Sequence, residues 1–191
     1  MNGNNSIEKE IKGRISLGNR AFHANQDLFK SKLLTKKSKL RMYQTLVRPV
    51  VTYACETWVL KENIKTKLRV FERWVLRRIC GPTKVSDGTW RIKSNDELNR
   101  LIGNKNIVNY IKAQRLAWFG HVHRMPDNSI VKKVYEWSPA LTTSLGRPKN
   151  RWEDEVKSDI TNMKITTWKD CIRNRPKWKE FVEKAKTSLK L

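Results

Sequence analysis

Apolar residues from position 7 onward recur at helical spacings. Ile7, Ile11, Ile15 and Leu17, then Ala21, Phe22, Leu28 and Phe29, predict a helix over 6–30 that Gly13 and Gly18 weaken slightly. The stretch LVRPVVTYACETW at 46–58 predicts a second helix ending near Trp58. Pro49 should kink or split it, because proline removes an amide donor and crowds the preceding turn. In a third helix, over 63–79, Ile64, Leu68, Phe71, Val75 and Ile79 form one apolar face. Lys65, Arg69, Arg73 and Arg77 make a cationic row beside it.

Gly81 and Pro82 stop that helix, and TKVSDGTW at 83–90 reads as a loop. Ser94 and Glu97 match a capping box that opens a short helix to about residue 102. Over 105–124, Ile107, Tyr110, Ile111, Ala117, Trp118 and Val122 share one wide arc with Met125. Lys105, Asn109, Lys112 and His123 fall opposite. Residues 129–137 suit a short helix or a strand, and 138–149 are rich in turn formers. Helices are again predicted over 152–163 and 166–174, and a last one is marked by Trp178, Phe181, Val182 and Ala185. The chain therefore reads as all-α: a three-helix bundle at 6–80, a linker loop at 81–93 and a second small helical subdomain at 94–187.

Charge changes this picture most. The 191 residues hold 41 Lys and Arg against 18 Asp and Glu, a formal charge of +23 and a pI near 10.3. A folded domain so charged repels itself unless it meets a polyanion, usually nucleic acid, with a membrane surface as competitor. No apolar run is long enough to span a bilayer, and the polar start MNGNNSIEKE is no signal peptide. Eight tryptophans supply enough apolar surface for a core, which argues against wholesale disorder. Three scattered cysteines suggest buried thiols in a reducing setting, nuclear or cytoplasmic. The segment KSKLLTKKSKLR at 30–41, with six basic residues and no acidic one, is a solvated helix start or a nuclear-localisation patch.

Candidate chemistry is sparse. His121 and His123 lie two apart without nearby cysteine, and His121 belongs on the apolar arc, so no metal site is expected. Glu153, Asp154 and Glu155 point in different directions on a helix start, where acids offset the dipole, rather than converging with Asp159 on metal ions. There is no Gly-rich phosphate loop, no adjacent pair of aspartates, and no expected catalytic residue or cofactor. What remains is basic and aromatic residues interleaved. Trp90 stands in a loop outside any stripe and can stack on bases, with Arg91 beside it. Lys65, Arg69, Arg73 and Arg77, the pair Lys112 and Arg115, and the cluster Arg147, Lys149 and Arg151 are the candidate phosphate contacts. The competing reading is a solvated face for each cation and a core place for most tryptophans, Trp152 and Trp178 first.

Four blocks in order carry a resemblance: LVRPVVTYACETW at 46–58, FERWVLRRICGP at 71–82, RLAWFGHVHRM at 115–125 and GRPKNRW at 146–152. They resemble the C-terminal part of reverse transcriptases encoded by non-LTR retrotransposons, over nearly the whole chain. The resemblance implies that 6–80 is a helical thumb gripping a primer–template duplex of RNA or DNA, and that the region from 90 onward helps hold template or target. The family's catalytic palm carries an aromatic-x-Asp-Asp motif; this chain has no such motif and no room for a palm before Ile7. The expectation is thus a truncated element protein that binds nucleic acid without catalysis, or a partner of the element's own palm-containing polyprotein. The alternatives are a protein-interaction module whose charge only aids solubility, and a fragment of a longer active polymerase.

Overall fold

The computed structural model describes residues 7–137 and 151–187. The turn-rich segment expected at 138–149, with Arg147 and Lys149, lies outside them. The described chain is all-α, with only two two-residue strands. It forms two compact units, Met1–Ala54 with Leu60–Val108, and Cys55–Val59 with Asn109–Leu191.

The first unit is built on α1 (Ile7–Ala24), α2 (Gln26–Lys30), α3 (Lys36–Met42), α4 (Arg48–Val51) and α5 (Glu62–Cys80). Thr35 opens α3 by accepting the amide of Ser38 through its side chain. Pro49 does not break the second predicted helix at its own position. A π-helical turn, Tyr43–Val47, widens the backbone just before it, so α3 and α4 run on as one bent rod. That rod ends at Val51, earlier than the Trp58 expected, and Ala54 turns the chain with a left-handed φ of 55°. Ile11, Phe22, Val47, Val51, Leu68 and Val75 meet in the core, as the three-and-four spacing requires. Gly18 makes this closeness available: a Cβ there would lie 2.3 Å from Val51 Cγ2 and 3.0 Å from Phe71 Cζ.

Residues 81–93 lie within this unit. They form a small antiparallel hairpin, β1 (Thr83–Lys84) and β2 (Trp90–Arg91), where a plain loop was expected. The capping box of Ser94 and Glu97 opens α6 (Asn95–Leu101), which packs on α5. Glu72, buried in α5, accepts hydrogen bonds from the Tyr43 hydroxyl at 2.9 Å and the Ile107 amide at 2.8 Å. The Ile107 amide is the first of α7 (Ile107–His123).

The second unit comprises the 3-10 turn Cys55–Thr57, α7 beyond Val108, α8 (Ile130–Glu136), α9 (Trp152–Asn162), α10 (Trp168–Arg173) and α11 (Arg175–Ala185). The stretch 129–137, open between helix and strand, is helical over Ile130–Glu136. Leu116, Phe119, Val156, Ile160, Ile172 and Trp178 form the core. Trp178 donates from Nε1 to the Leu116 carbonyl at 2.9 Å, and Trp152 to the Glu56 carbonyl at 2.7 Å. The thiols of Cys55, Cys80 and Cys171 are free and buried, and burial pushes Cys55 up to about 12.

Helix α7 corrects the two-faced reading. Asn109 and Lys112, expected on a polar side, are buried, whereas Trp118 is 36% exposed and His121 is exposed. Lys112 meets Asp159 of α9, so on this helix burial no longer follows the apolar pattern. His123 packs among rings, 4.3 Å from Phe119 and 5.2 Å from Tyr135, while the exposed His121 lies 5.3 Å from the Trp118 ring. For His123, burial holds the imidazole below the ordinary pKa.

Candidate nucleic-acid interface

The outer side of α5 carries a second apolar row, Val70 and Trp74, one turn apart and outside the core stripe. Val70 is 59% exposed. Lys12, Ile15 and Asn19 of α1 face this row across a groove that also takes in Thr66 and Lys67. The groove continues past Val70 and Trp74 to Arg77, Arg78, Pro82, Ile92 and Lys93. Its floor is therefore apolar and its rim basic, with cations at both ends; none of the lining residues is acidic, but Glu8 of α1, just outside the lining, pairs with Lys67.

Local contacts fix these groups. Trp74 is held at 5.1 Å from Phe22 and 5.7 Å from His23, and the Arg78 guanidinium lies over its ring at 4.2 Å. Arg77 donates to Asn95 Oδ1 at 2.8 Å and to the Lys93 carbonyl at 3.4 Å, which braces α5 against the hairpin exit. Lys93 donates to Thr83 Oγ1 at 2.5 Å. Ile92 stands 74% exposed, and Trp90, two residues before it, 66%.

The structure sorts the sequence candidates unevenly. Of the predicted row, only Arg77 lines the groove; Arg73 is half-buried beside the Glu72 carboxyl, whose charge it offsets. Lys65 and Arg69 both pair with Glu62, at 3.3 and 2.9 Å. Arg91 makes a two-pronged bond to Glu97 at 2.6 and 2.9 Å, which pulls that carboxyl down to about 2. Trp90 is exposed on the hairpin, and Arg151 is exposed just before α9.

Lys112 and Arg115 are corrections. Each is buried in the second unit, where no phosphate reaches it. Arg115 bonds to Asp159 at 2.6 Å, to Glu155 and to the Trp58 carbonyl, while Lys112 pairs with Asp159 at 3.0 Å. The residues 112 and 115 on α7 and 155 and 159 on α9 each lie a turn apart, so the two helices present matched charges. The acidic group is thus more than a helix-start cluster: half of it anchors buried cations.

Sequence reasoning did not single out Lys12, Lys67 and Lys93 of this rim. The available signal was the i,i+4 pair Val70 and Trp74, apolar yet off the core stripe. Among the described residues, no group of three or more His, Cys, Asp or Glu side chains could hold a metal ion. No described helix is long and apolar enough to cross a membrane.

A protein of Caenorhabditis elegans described as transposon-derived is 24% identical to this chain over 194 residues, covering 98% of this chain and 69% of its own length. No family model and no solved structure matches.

Proposed function

We propose that this chain is a derivative of a non-LTR retrotransposon reverse transcriptase, corresponding to the thumb and the helical region after it, and that it binds nucleic acid without polymerising it. The observation that carries the binding role is the basic-rimmed groove along α5. Rim cations Lys12, Arg77, Arg78 and Lys93 stand around a floor that contributes no opposing charge, and Lys67, paired with Glu8, completes the rim. Likeness to a transposon-derived protein along nearly the whole chain supports the origin, and the four ordered sequence blocks specify it further. The palm's paired aspartates are absent from the sequence, so metal-dependent nucleotide transfer is not assigned to these residues.

Binding through this rim is electrostatic and tolerant of sequence. Neutralising about six phosphates gives a log–log salt slope of about −5 on duplex. Replacing Lys12, Arg78 and Lys93 together by Gln should bring the slope toward zero by roughly 0.9 for each charge removed. A mobility-shift titration at rising salt measures both values. No binding at low salt, or a slope that ignores the triple variant, would overturn the reading.

One observation favours a second reading, a protein-interaction module. On α8, Ile130 and Val134 are 78% and 70% exposed, and Trp137 just after it 71%, an apolar face of the kind that docks a partner. The triple Gln variant separates the two, since it weakens nucleic-acid binding and leaves α8 untouched.

A further inference from the structure

Resting on the nucleic-acid reading, we infer that the groove along α5 takes an unpaired strand, with bases on its apolar floor and phosphates along its rim. A duplex offers a protein surface mainly phosphates and groove edges, with its base faces stacked inside. It would leave Val70 and Ile92 as wet as they are in the free protein. A single strand carries flat apolar faces and negative charge on the same molecule, which is what an apolar floor between two basic edges can satisfy together.

Two surfaces are ready for base planes. The Arg78 guanidinium already lies over Trp74 at 4.2 Å, and Arg78 is exposed. Its outer face extends that stack and accepts a further planar ring, as guanidinium planes do for splayed bases. Beside the groove rather than in its lining, Trp90 presents a ring that is 66% exposed on the hairpin strand leading to Ile92, which does line it. Along α5 the groove runs from Thr66 to Arg78. At the helical rise this is about 18 Å, room for about five stacked nucleotides.

The test is fluorescence anisotropy with labelled oligothymidylate, oligouridylate and a mixed-sequence duplex, each about 12 units long, at about 50 and 200 mM salt. The wild-type chain should bind the unpaired oligomers at least as tightly as the duplex. Arg78→Lys keeps the charge and removes the plane; Trp90→Ala removes a ring and no charge. Each should weaken unpaired binding at least about fivefold and leave duplex binding within about twofold. Both side chains are exposed, and a thermal melt checks that the fold is kept. Equal losses on strand and duplex, or no loss on the strand, would overturn the inference. Binding of duplex alone would sink it while leaving the proposed function standing; binding of neither at low salt would sink both. The RNA and DNA arms show which sugar the groove prefers.

Discussion

Glu72 is a carboxyl buried between two donors, the Tyr43 hydroxyl and the Ile107 amide. Burial raises it from 4.5 to about 7, against the opposing pull of those two bonds and of Arg48 and Arg73. A carboxyl whose folded pKa lies above its unfolded one stabilises the fold most at low pH, and that contribution is lost as pH climbs through the folded value. Stability should therefore fall between about pH 4.5 and 7, by up to about 3 kcal/mol for a displacement of this size. His123 runs the other way, since its lowered pKa favours the fold above the ordinary histidine range. Comparing melts of the wild type with Glu72→Gln isolates the carboxyl: the variant should lose most of the downward slope, and a wild-type stability that rises across this range contradicts the assignment. Neither Glu72 nor Arg115 was legible from its own surroundings in the chain. Arg115 sits in a basic and aromatic stretch that reads as a phosphate contact, and only its meeting with Asp159, 44 residues on, shows that its charge is spent internally. Trp90 was legible, because a large ring in a turn with no apolar partners at helical spacing has no core to enter.

Helices separate residues that a sequence treats alike. Gly13 and Gly18 both sit inside α1, and both read as small losses of helix propensity. In the fold, a Cβ at Gly13 meets nothing within 4 Å, whereas at Gly18 it would overlap Val51 and crowd Phe71. The same substitution should thus have opposite signs. Gly13→Ala should stabilise by about 0.5–1 kcal/mol through reduced backbone freedom in the unfolded chain. Gly18→Ala should destabilise by about 1–3 kcal/mol, because rigid neighbours across the helix contact must move. Urea midpoints of the two variants decide this, and equal shifts would show that α1 does not approach α4 and α5 this closely. The positions of α5, α6 and the last three helices were readable because apolar spacing, a capping box and prolines all mark them locally. The π-helical turn at Tyr43–Val47 was not, since it arises from fitting the Pro49 ring into a rod that continues past it.

At the scale of the molecule, all-α architecture was readable because the apolar stripes have a helical period, and among the described residues the only strands are two residues long. The extent of the first unit was not. Gly81 and Pro82 mark a turn, and a turn looks the same in sequence whether it joins two units or lies within one. What binds residues beyond 93 to the first unit is long-range: α6 packs on α5 with Leu98 buried, and the carboxyl of Glu72 holds the first amide of α7 from 35 residues away. Cutting the chain after residue 93 would strip α5 of its α6 cover and leave a buried carboxyl short of one of its two donors, a costly defect in so small a core. A fragment of residues 7–93 should therefore melt without a cooperative transition, and one of residues 7–108, which keeps α6 and the Ile107 amide, should melt cooperatively. Circular dichroism melts of the two at matched concentration test the point. A cooperative transition in the shorter fragment at the same temperature would mean that α1 to α5 carry the unit unaided and that the Glu72 bridge contributes little to it.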